Sequence, residues 1–393
     1  MNERKIFFKG LLVGLLSAAI ITVAVFSVKI FIVDANKSDV SAILDKAVVI
    51  QEIIDKYYLK DEDVQNLADS MYKGMIEGLG DKYSKYYTAS EYKDLMETVS
   101  GYYKGIGVSV IQDDAGKTIV KEVFDGSPSK DAGITPGDIL YKVDGTDITG
   151  MDISDIVAKI KGEEGTKVDV TIVRDGKEVK YTLERRQVEI PTTHSELLDG
   201  NIGYIAISSF DTVTPEQFKS EVASLKDQGM KSLIIDVRDN PGGTLDSVTN
   251  ILDQLLPKGL TLYTVDKKGT REEYFSDEEH KLDLPMVVLT NGNSASASEI
   301  FAGAMKDFGA AKIVGETTYG KGVMQAIRTL SDGSAVKITT ASFYTPKGTT
   351  INGIGIIPDV EVKIPEEAFA DYVITKDEDT QMAKAIEILS ESN

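Results

Sequence analysis

The chain has 393 residues, with 43 Lys and Arg against 63 Asp and Glu and a formal net charge of −20, and this length asks for two or three domains. Such an acidic balance argues against nucleic acid as a partner, because clustered basic side chains are needed to displace counterions. The chain has no cysteine, which excludes disulfides, thiolate zinc sites and cysteine nucleophiles. It has only two histidines, His194 and His280, so an imidazole-rich metal site is disfavoured and a Ser-His-Asp arrangement would have to recruit one of them.

At the N-terminus, Arg4, Lys5 and Lys9 precede an apolar run from Leu11 to Val28, extended past Lys29 by Ile30 to Val33. A spanning helix needs about 20 such residues, and the flanking positive charge sets the N-terminus inside. Residues 1–35 therefore predict a single-pass membrane anchor, with the rest of the chain extracytoplasmic. Val33 and Ala35 also suit a signal-peptide cleavage, which would make the protein secreted, and a buried core helix is the third reading. Residues 36–100 read as helical: Ile43, Ala47, Ile50, Ile54 and Tyr57 recur at three- and four-residue spacing, and Met71, Met75 and Leu79 continue the pattern up to Gly80–Asp81. Such a region suits a partner surface.

From Gly101 to Arg186 the pattern changes to short strands and tight turns. GIGVSVI alternates, Pro136–Gly137 and Asp144–Gly145 mark turns, and DISDIVAKI gathers Ile153, Ile156, Val157 and Ile160 on one helical face behind Asp152 as N-cap. KVDVTIV and KEVKYTL then alternate across Arg174–Asp175–Gly176. From Asn201 onward strands and helices take turns: NIGYIAI, PEQFKSEVASLKDQ, SLIIDV, LDSVTNILDQLL, PMVVLT, ASEIFAGAMKDFG and KIVG. This rhythm predicts an α/β core on a largely parallel sheet, with ligands at the loops beyond the strands' C-terminal ends. RDNPGG and NGNSASA are two such loops.

In NGNSASASEI, Ser296 and Glu299 form an S-x-x-E capping box, which by itself explains the serine. A serine between a buried strand and a helix N-terminus also stands where a nucleophile can use the helix's free N–H groups, although GxSxG is absent. The N–H of Ala297 is then the candidate oxyanion donor, with a second from the Asn240–Pro241–Gly242–Gly243 loop. His194 lies outside the alternating region and His280 sits in the charged stretch SDEEHKLD, so neither suits the role of base. Lys321, between Gly320 and Gly322, does so if burial lowers its proton affinity, and Gln325 falls four residues on. Spacing alone does not choose among Ser294, Ser296 and Ser298.

The segment from Gly101 to Arg186 resembles a PDZ domain. That resemblance implies that Lys104–Gly105–Ile106–Gly107 offers backbone N–H groups to a ligand's C-terminal carboxylate, the ligand adding as a strand facing the helix that starts near Asp152. With SASASEI, GETTYGKGVMQ, RDNPGG and YTPKGTTINGIGIIPDVEV following in this order, the chain is similar to the carboxyl-terminal processing peptidases (tail-specific proteases). GMIEGLGDKYSKYYTASE and GYYKGIGV match that family ahead of the PDZ segment. The resemblance implies Ser296 as nucleophile, Lys321 as general base, Gln325 as its support, and an oxyanion hole from Ala297 with Gly242 or Gly243. It further implies a ClpP/crotonase-like α/β protease core at 187–365, a helical tail at 366–393 and a homodimer through the flanking helices. Protein substrates with an accessible C-terminus are implied, and neither cofactor nor metal. A PDZ scaffold on an inactive core and a crotonase-like acyl-transfer enzyme are the rival readings.

Overall fold

The computed structural model describes residues 37–277, 281–365, 368, 375 and 378–391. The expected anchor at 1–35 and His280 lie outside the described residues, and among the described residues no helix is long and apolar enough to cross a membrane. The chain divides into two compact units, residues 1–71 and 72–393. In the first, α1 (Lys37–Tyr57) leaves Ile43, Ile50, Ile53 and Tyr57 exposed. Helix α2 (Val64–Glu77) spans the division.

In the second unit the expected helical run breaks at Gly80, whose φ is +67°. Asp81 accepts from Tyr83 N–H and Ser84 Oγ, turning the chain into strand β1 (Lys85–Tyr87), where Tyr86 and Tyr87 are buried. Aromatic residues in succession favour a pleated, half-buried surface over a helix. Helix α3 (Ala89–Ser100) then starts on a capping box between Thr88 and Glu91 and ends on Gly101 in the left-handed conformation.

The next segment runs β2 (Tyr102–Gly105), β3 (Val108–Gln112), β4 (Thr118–Val123), α4 (Pro128–Asp131), β5 (Ile139–Val143), β6 (Thr146–Asp147), α5 (Ile153–Ile160), β7 (Lys167–Arg174) and β8 (Lys177–Glu184). Its sheet has the order β3-β4-β5-β7-β8 with β6 beside β5, so β3 is an edge. Ile106, Val120, Leu140, Ile156, Val170 and Ile172 form its core. Asp152 caps α5 by accepting from Ser154 N–H, as the sequence predicts. Asp175 and Gly176 both take positive φ, the two-residue turn that matches the twist of a hairpin.

Strand β9 (Arg186–Glu189) pairs back on β2. The following segment contains β10 (Thr193–Leu198), β11 (Ile202–Ile207), α6 (Thr214–Asp227), β12 (Ser232–Asp236), α7 (Leu245–Leu255), β13 (Gly259–Asp266), β14 (Arg271–Ser276), β15 (Met286–Thr290), α8 (Ala297–Phe308), β16 (Lys312–Gly315), β17 (Val323–Thr329), β18 (Ala335–Tyr344), β19 (Val360–Glu361) and α9 (Thr380–Glu391). The main sheet has the order β10-β11-β12-β15-β16-β19; only β10 is antiparallel to its neighbour. Leu233, Ile235 and Val288 pack with α6, α7 and α8, whereas Ile234, Val287 and Leu289 pack with Ala385 and Leu389 of α9. Burial on both faces explains the unbroken apolar runs SLIIDV and PMVVLT. A second, antiparallel sheet of order β1-β18-β13-β14, with β17 beside β18, carries the strand that follows GKG.

Candidate active site

Two loops leave the C-terminal ends of adjacent parallel strands, β12 and β15, and are bonded along their length. Asp239 N–H donates to Asn291 Oδ1 at 3.0 Å, and the Asn291 and Asn293 amides donate to Asp239 Oδ1 at 2.9 and 2.8 Å. Ala295 N–H and Ser298 Oγ both donate to the Asn240 carbonyl, at 3.0 and 2.9 Å. Ser294 Oγ donates to the Val237 carbonyl at 2.7 Å and accepts from Asn291 N–H. Ser294 and Ser298 are therefore fully buried with their hydroxyls bonded to backbone, while Ser296 between them is only half-buried.

Ser296 has φ +56° and ψ −111° at the first position before α8. A non-glycine residue there is strained by about 1–3 kcal/mol, and a sharp strand-to-helix turn of this kind holds a serine hydroxyl up from a sheet. Glu299 holds the turn: its Oε2 accepts from Ser296 N–H at 2.8 Å, the return bond expected of S-x-x-E. The same oxygen accepts from Lys321 N–H at 2.8 Å, and Oε1 accepts from Gly320 N–H at 2.7 Å and Thr318 Oγ1 at 2.6 Å. The carboxylate is fully buried, and one of its oxygens joins the backbones of Ser296 and Lys321.

The Lys321 side chain is half-buried, and desolvation, then the charge of Lys337, lowers its pKa below the ordinary lysine value against the opposing pull of Glu299 and Asp81. Its Nζ lies 4.8 Å from the centre of the Tyr83 ring, and Lys82 Nζ lies 4.9 Å from the same ring while donating to Tyr319 Oη at 2.8 Å. Gly322 is required by the Asn352 backbone, whose nitrogen would stand 2.3 Å from a Cβ. Gln325 lies on β17 beside a bulge; its amide nitrogen donates to the Val323 carbonyl and Thr339 Oγ1, and no hydrogen bond joins it to Lys321 among the described residues.

In the glycine loop, Gly242 packs so closely on Ala295, Ser296 and Ala297 that a Cβ would meet all three within 2.9 Å. Its N–H is already engaged, donating to Asn240 Oδ1 at 2.8 Å. No acceptor meets the N–H of Gly243 or of Ala297 among the described residues. Arg238, at the loop's start, is held by both oxygens of Asp236 and by Asp379 and Gln381. His194 is exposed on β10, two strands across the sheet from β12. In the β3–β8 segment, Gly105 closes β2, Ile106 is buried in the core, and Gly107 has φ +81° with Ser127 where its Cβ would be.

The sequence pattern places Lys82 and Tyr83 in a helical region and gives no sign of their place beside Lys321, of the role of Thr318, or of the bonds that the Asn240 side chain and carbonyl make far along the chain. It assigned Glu299 only a cap. The capping pattern gave one bond of Glu299; the others come from residues 19 to 22 positions later.

Residues 201–362 match the model of peptidase family S41, and residues 119–174 that of a PDZ domain. The carboxy-terminal processing protease CtpA of Bacillus subtilis strain 168 is 36% identical over 325 residues, 82% of this chain and 69% of that protein. A CtpA-like serine protease of Staphylococcus aureus strain MSSA476 is 35% identical over 364 residues, 91% of this chain and 73% of that one. A Bacteroides fragilis NCTC 9343 structure assigned to the S41 proteases shares the fold at 14% identity, with a TM-score of 0.52 over 86% of this chain and 93% of that one. The chain belongs to the carboxy-terminal processing serine proteases of peptidase family S41.

Proposed function

We propose that the protein is an anchored extracytoplasmic endopeptidase that cleaves protein substrates with a Ser296–Lys321 dyad and receives their C-termini on its PDZ domain. The observation that carries the dyad is Glu299, which ties the strained turn of Ser296 and the backbone of a desolvated Lys321 to one carboxylate oxygen. Neutral Lys321 takes the Ser296 hydroxyl proton as Oγ adds to the peptide carbonyl carbon. The N–H groups of Gly243 and Ala297 receive the oxyanion; Gly242 is unsuited because its N–H already serves Asn240. As the intermediate collapses, the carbon–nitrogen bond breaks and the Lys321 ammonium protonates the leaving amine. Water, deprotonated by the same lysine, then cleaves the acyl ester and Ser296 recovers its proton. Gln325 supports the base indirectly, by fixing β17 against β18 beneath it.

The basic flank and apolar run at the N-terminus support the anchor, with the catalytic domain outside. The exposed Ile43, Ile50, Ile53 and Tyr57 of α1 support a homodimer through the N-terminal helices. The open edge of β3 supports strand addition by a peptide.

The test compares the full chain in detergent with Ser296→Ala and Lys321→Ala on an unfolded protein substrate, folding being checked by circular dichroism. Each substitution is expected to lower cleavage roughly a thousandfold or more. Parental activity in either variant rejects the dyad, and loss on Ser294→Ala but not Ser296→Ala moves the nucleophile.

A further inference from the structure

Strand β18 runs between β17 and β1, and register places one row of side chains across all three. Gln325 of β17 lies opposite Thr339, Ile327 lies opposite Lys337, and Lys85 of β1 meets the same Lys337 from the other side. Residues two apart along a strand share a face, so Gln325, Thr339, Lys337, Lys85 and Tyr87 look the same way. The Tyr87 ring agrees with this: Lys85 Nζ lies 5.0 Å and Lys337 Nζ 5.6 Å from its centre. Tyr87 is buried, Lys337 half-buried and Lys85 exposed. Lys337 is also close enough to Lys321 for its charge to oppose protonation there. Two ammonium groups therefore converge over one ring beside the base.

Like charges directly opposite in an antiparallel pair repel, and this pair has no counter-ion. Among the described residues neither Lys85 nor Lys337 forms an ion pair. Asp81, which reaches this face at Thr339, is turned instead to Tyr83 N–H and Ser84 Oγ. The chain has 63 acidic residues against 43 Lys and Arg, so carboxylates are abundant, yet none covers these two lysines. Cation–π attraction explains why both ammonium groups rest near Tyr87. It does not explain why they are brought together without an anion.

The chemistry of the dyad says which part of a substrate passes them. The Lys321 ammonium protonates the leaving amine, so that nitrogen and the residues after it run along the Lys321 side of the cleft. The Lys337 row lies two residues along β18 from the row of Thr339 and Gln325, roughly 7 Å, and an extended substrate advances about 3.3 Å per residue. We propose that Lys85 and Lys337 form a carboxylate subsite for the leaving fragment, favouring substrates with an acidic group about two to four residues beyond the cleaved bond. The proposal rests on reading Lys321 as the base. The carboxylate has two sources: an Asp or Glu side chain, or the chain end itself when the leaving fragment is short. Either one accepts charge-assisted hydrogen bonds from the two ammonium groups and relieves their repulsion. A neutral side chain or an amidated end does neither.

The experiment uses the full chain in detergent and peptides of one sequence, whose cleaved bond is first located by mass spectrometry. Glu or Gln is placed at the second, third or fourth residue beyond that bond. A further pair ends at the third residue, with a free carboxylate or an amide. The parent is expected to favour an acidic peptide over its neutral twin by about five- to tenfold in kcat/KM at low salt, and less at high salt. Lys85→Gln and Lys337→Gln, which keep most of the stem over Tyr87, should each reduce that ratio to about twofold or less. The double variant should bring it to one, and Lys337→Arg should keep it. Lys337→Gln also changes the charge beside Lys321, but this acts on all the peptides alike and cancels in the ratio. Loss of the ratio for the Glu pair assigns the subsite to side chains, and for the shortened pair to chain ends. If the parent treats every pair alike, or the ratio survives in the double variant, the proposal fails, and an inactive Lys321→Ala leaves the dyad standing. If Lys321→Ala cleaves at the parental rate, the base is misassigned and the proposal falls with it.

Discussion

At the scale of single residues, Lys321 is set by two opposing influences. Burial and the nearby Lys337 disfavour its charge, while the Tyr83 ring face, 4.8 Å from Nζ, favours it and fixes where the nitrogen sits. In the proposed dyad the neutral amine is the working form, so the rate is expected to rise with pH as Lys321 loses its proton. The midpoint should lie below the ordinary lysine value of about 10.4. Tyr83→Leu removes the ring face, so the neutral form gains and the rising limb moves to lower pH. The plateau should fall at the same time, since Nζ is no longer held, and Tyr83→Phe should restore both. Rates on a fluorogenic peptide from pH 5 to 10 read the outcome; a lowered plateau on an unmoved limb would reduce Tyr83 to ordinary packing.

At the scale of elements, the site is made where the start of α8 meets the strand ends beside it, and Glu299 is the joint. Every group around its carboxylate is a donor. Glu299→Gln presents an amide N–H₂ to at least one of them and leaves buried groups unmatched, at a cost of about 1–3 kcal/mol. We expect the melting temperature to fall by several degrees and kcat/KM to fall by about a hundredfold or more, because Ser296 and Lys321 lose their shared anchor. An unchanged kcat/KM alongside a lowered melting temperature would show Glu299 to be a helix cap and nothing else. That outcome measures how far the sequence could be read. S-x-x-E was visible as a local pattern because a capping box is complete within four residues. The continuous apolar runs SLIIDV and PMVVLT, set between helical stretches, point to the parallel sheet, and Asp152 to the start of α5. The choice among three serines was not visible, because it depends on the Val237 and Asn240 carbonyls, which meet Ser294 and Ser298 across 57 and 58 residues. That Gly242 N–H is engaged and Gly243 N–H is not depends likewise on the Asn240 side chain, which no local pattern reveals. Strand β1 escaped notice because Tyr86 and Tyr87 are buried in a sheet whose partner strand lies some 250 residues away.

At the scale of the whole second unit, α9 connects the far face of the main sheet to the loop after β12. Ala385 and Leu389 cover Ile234, Val287, Leu289 and Val314, residues that alternate with those beneath α7 and α8. At the start of α9, Asp379 takes the Arg238 guanidinium at 2.9 Å, and Asp236 holds the same guanidinium from the strand side. Arg238 begins the loop that ends in Gly242 and Gly243, so α9 helps fix where the N–H of Gly243 points. The pair is largely shielded from water, and salt screens it far less than a surface pair. Asp379→Ala leaves Arg238 with Asp236 but frees one side of the guanidinium and unties the helix. The expected result is a loss of about 1–3 kcal/mol in stability and a several-fold drop in kcat, with KM for a short peptide little changed and the effect persisting at high salt. Calorimetry together with steady-state kinetics at low and high salt makes the measurement. If the variant loses stability while keeping its kcat, α9 serves only to cover the sheet, and the aim of the glycine loop is set by the hydrogen bonds from Asn240 and Asn291 alone.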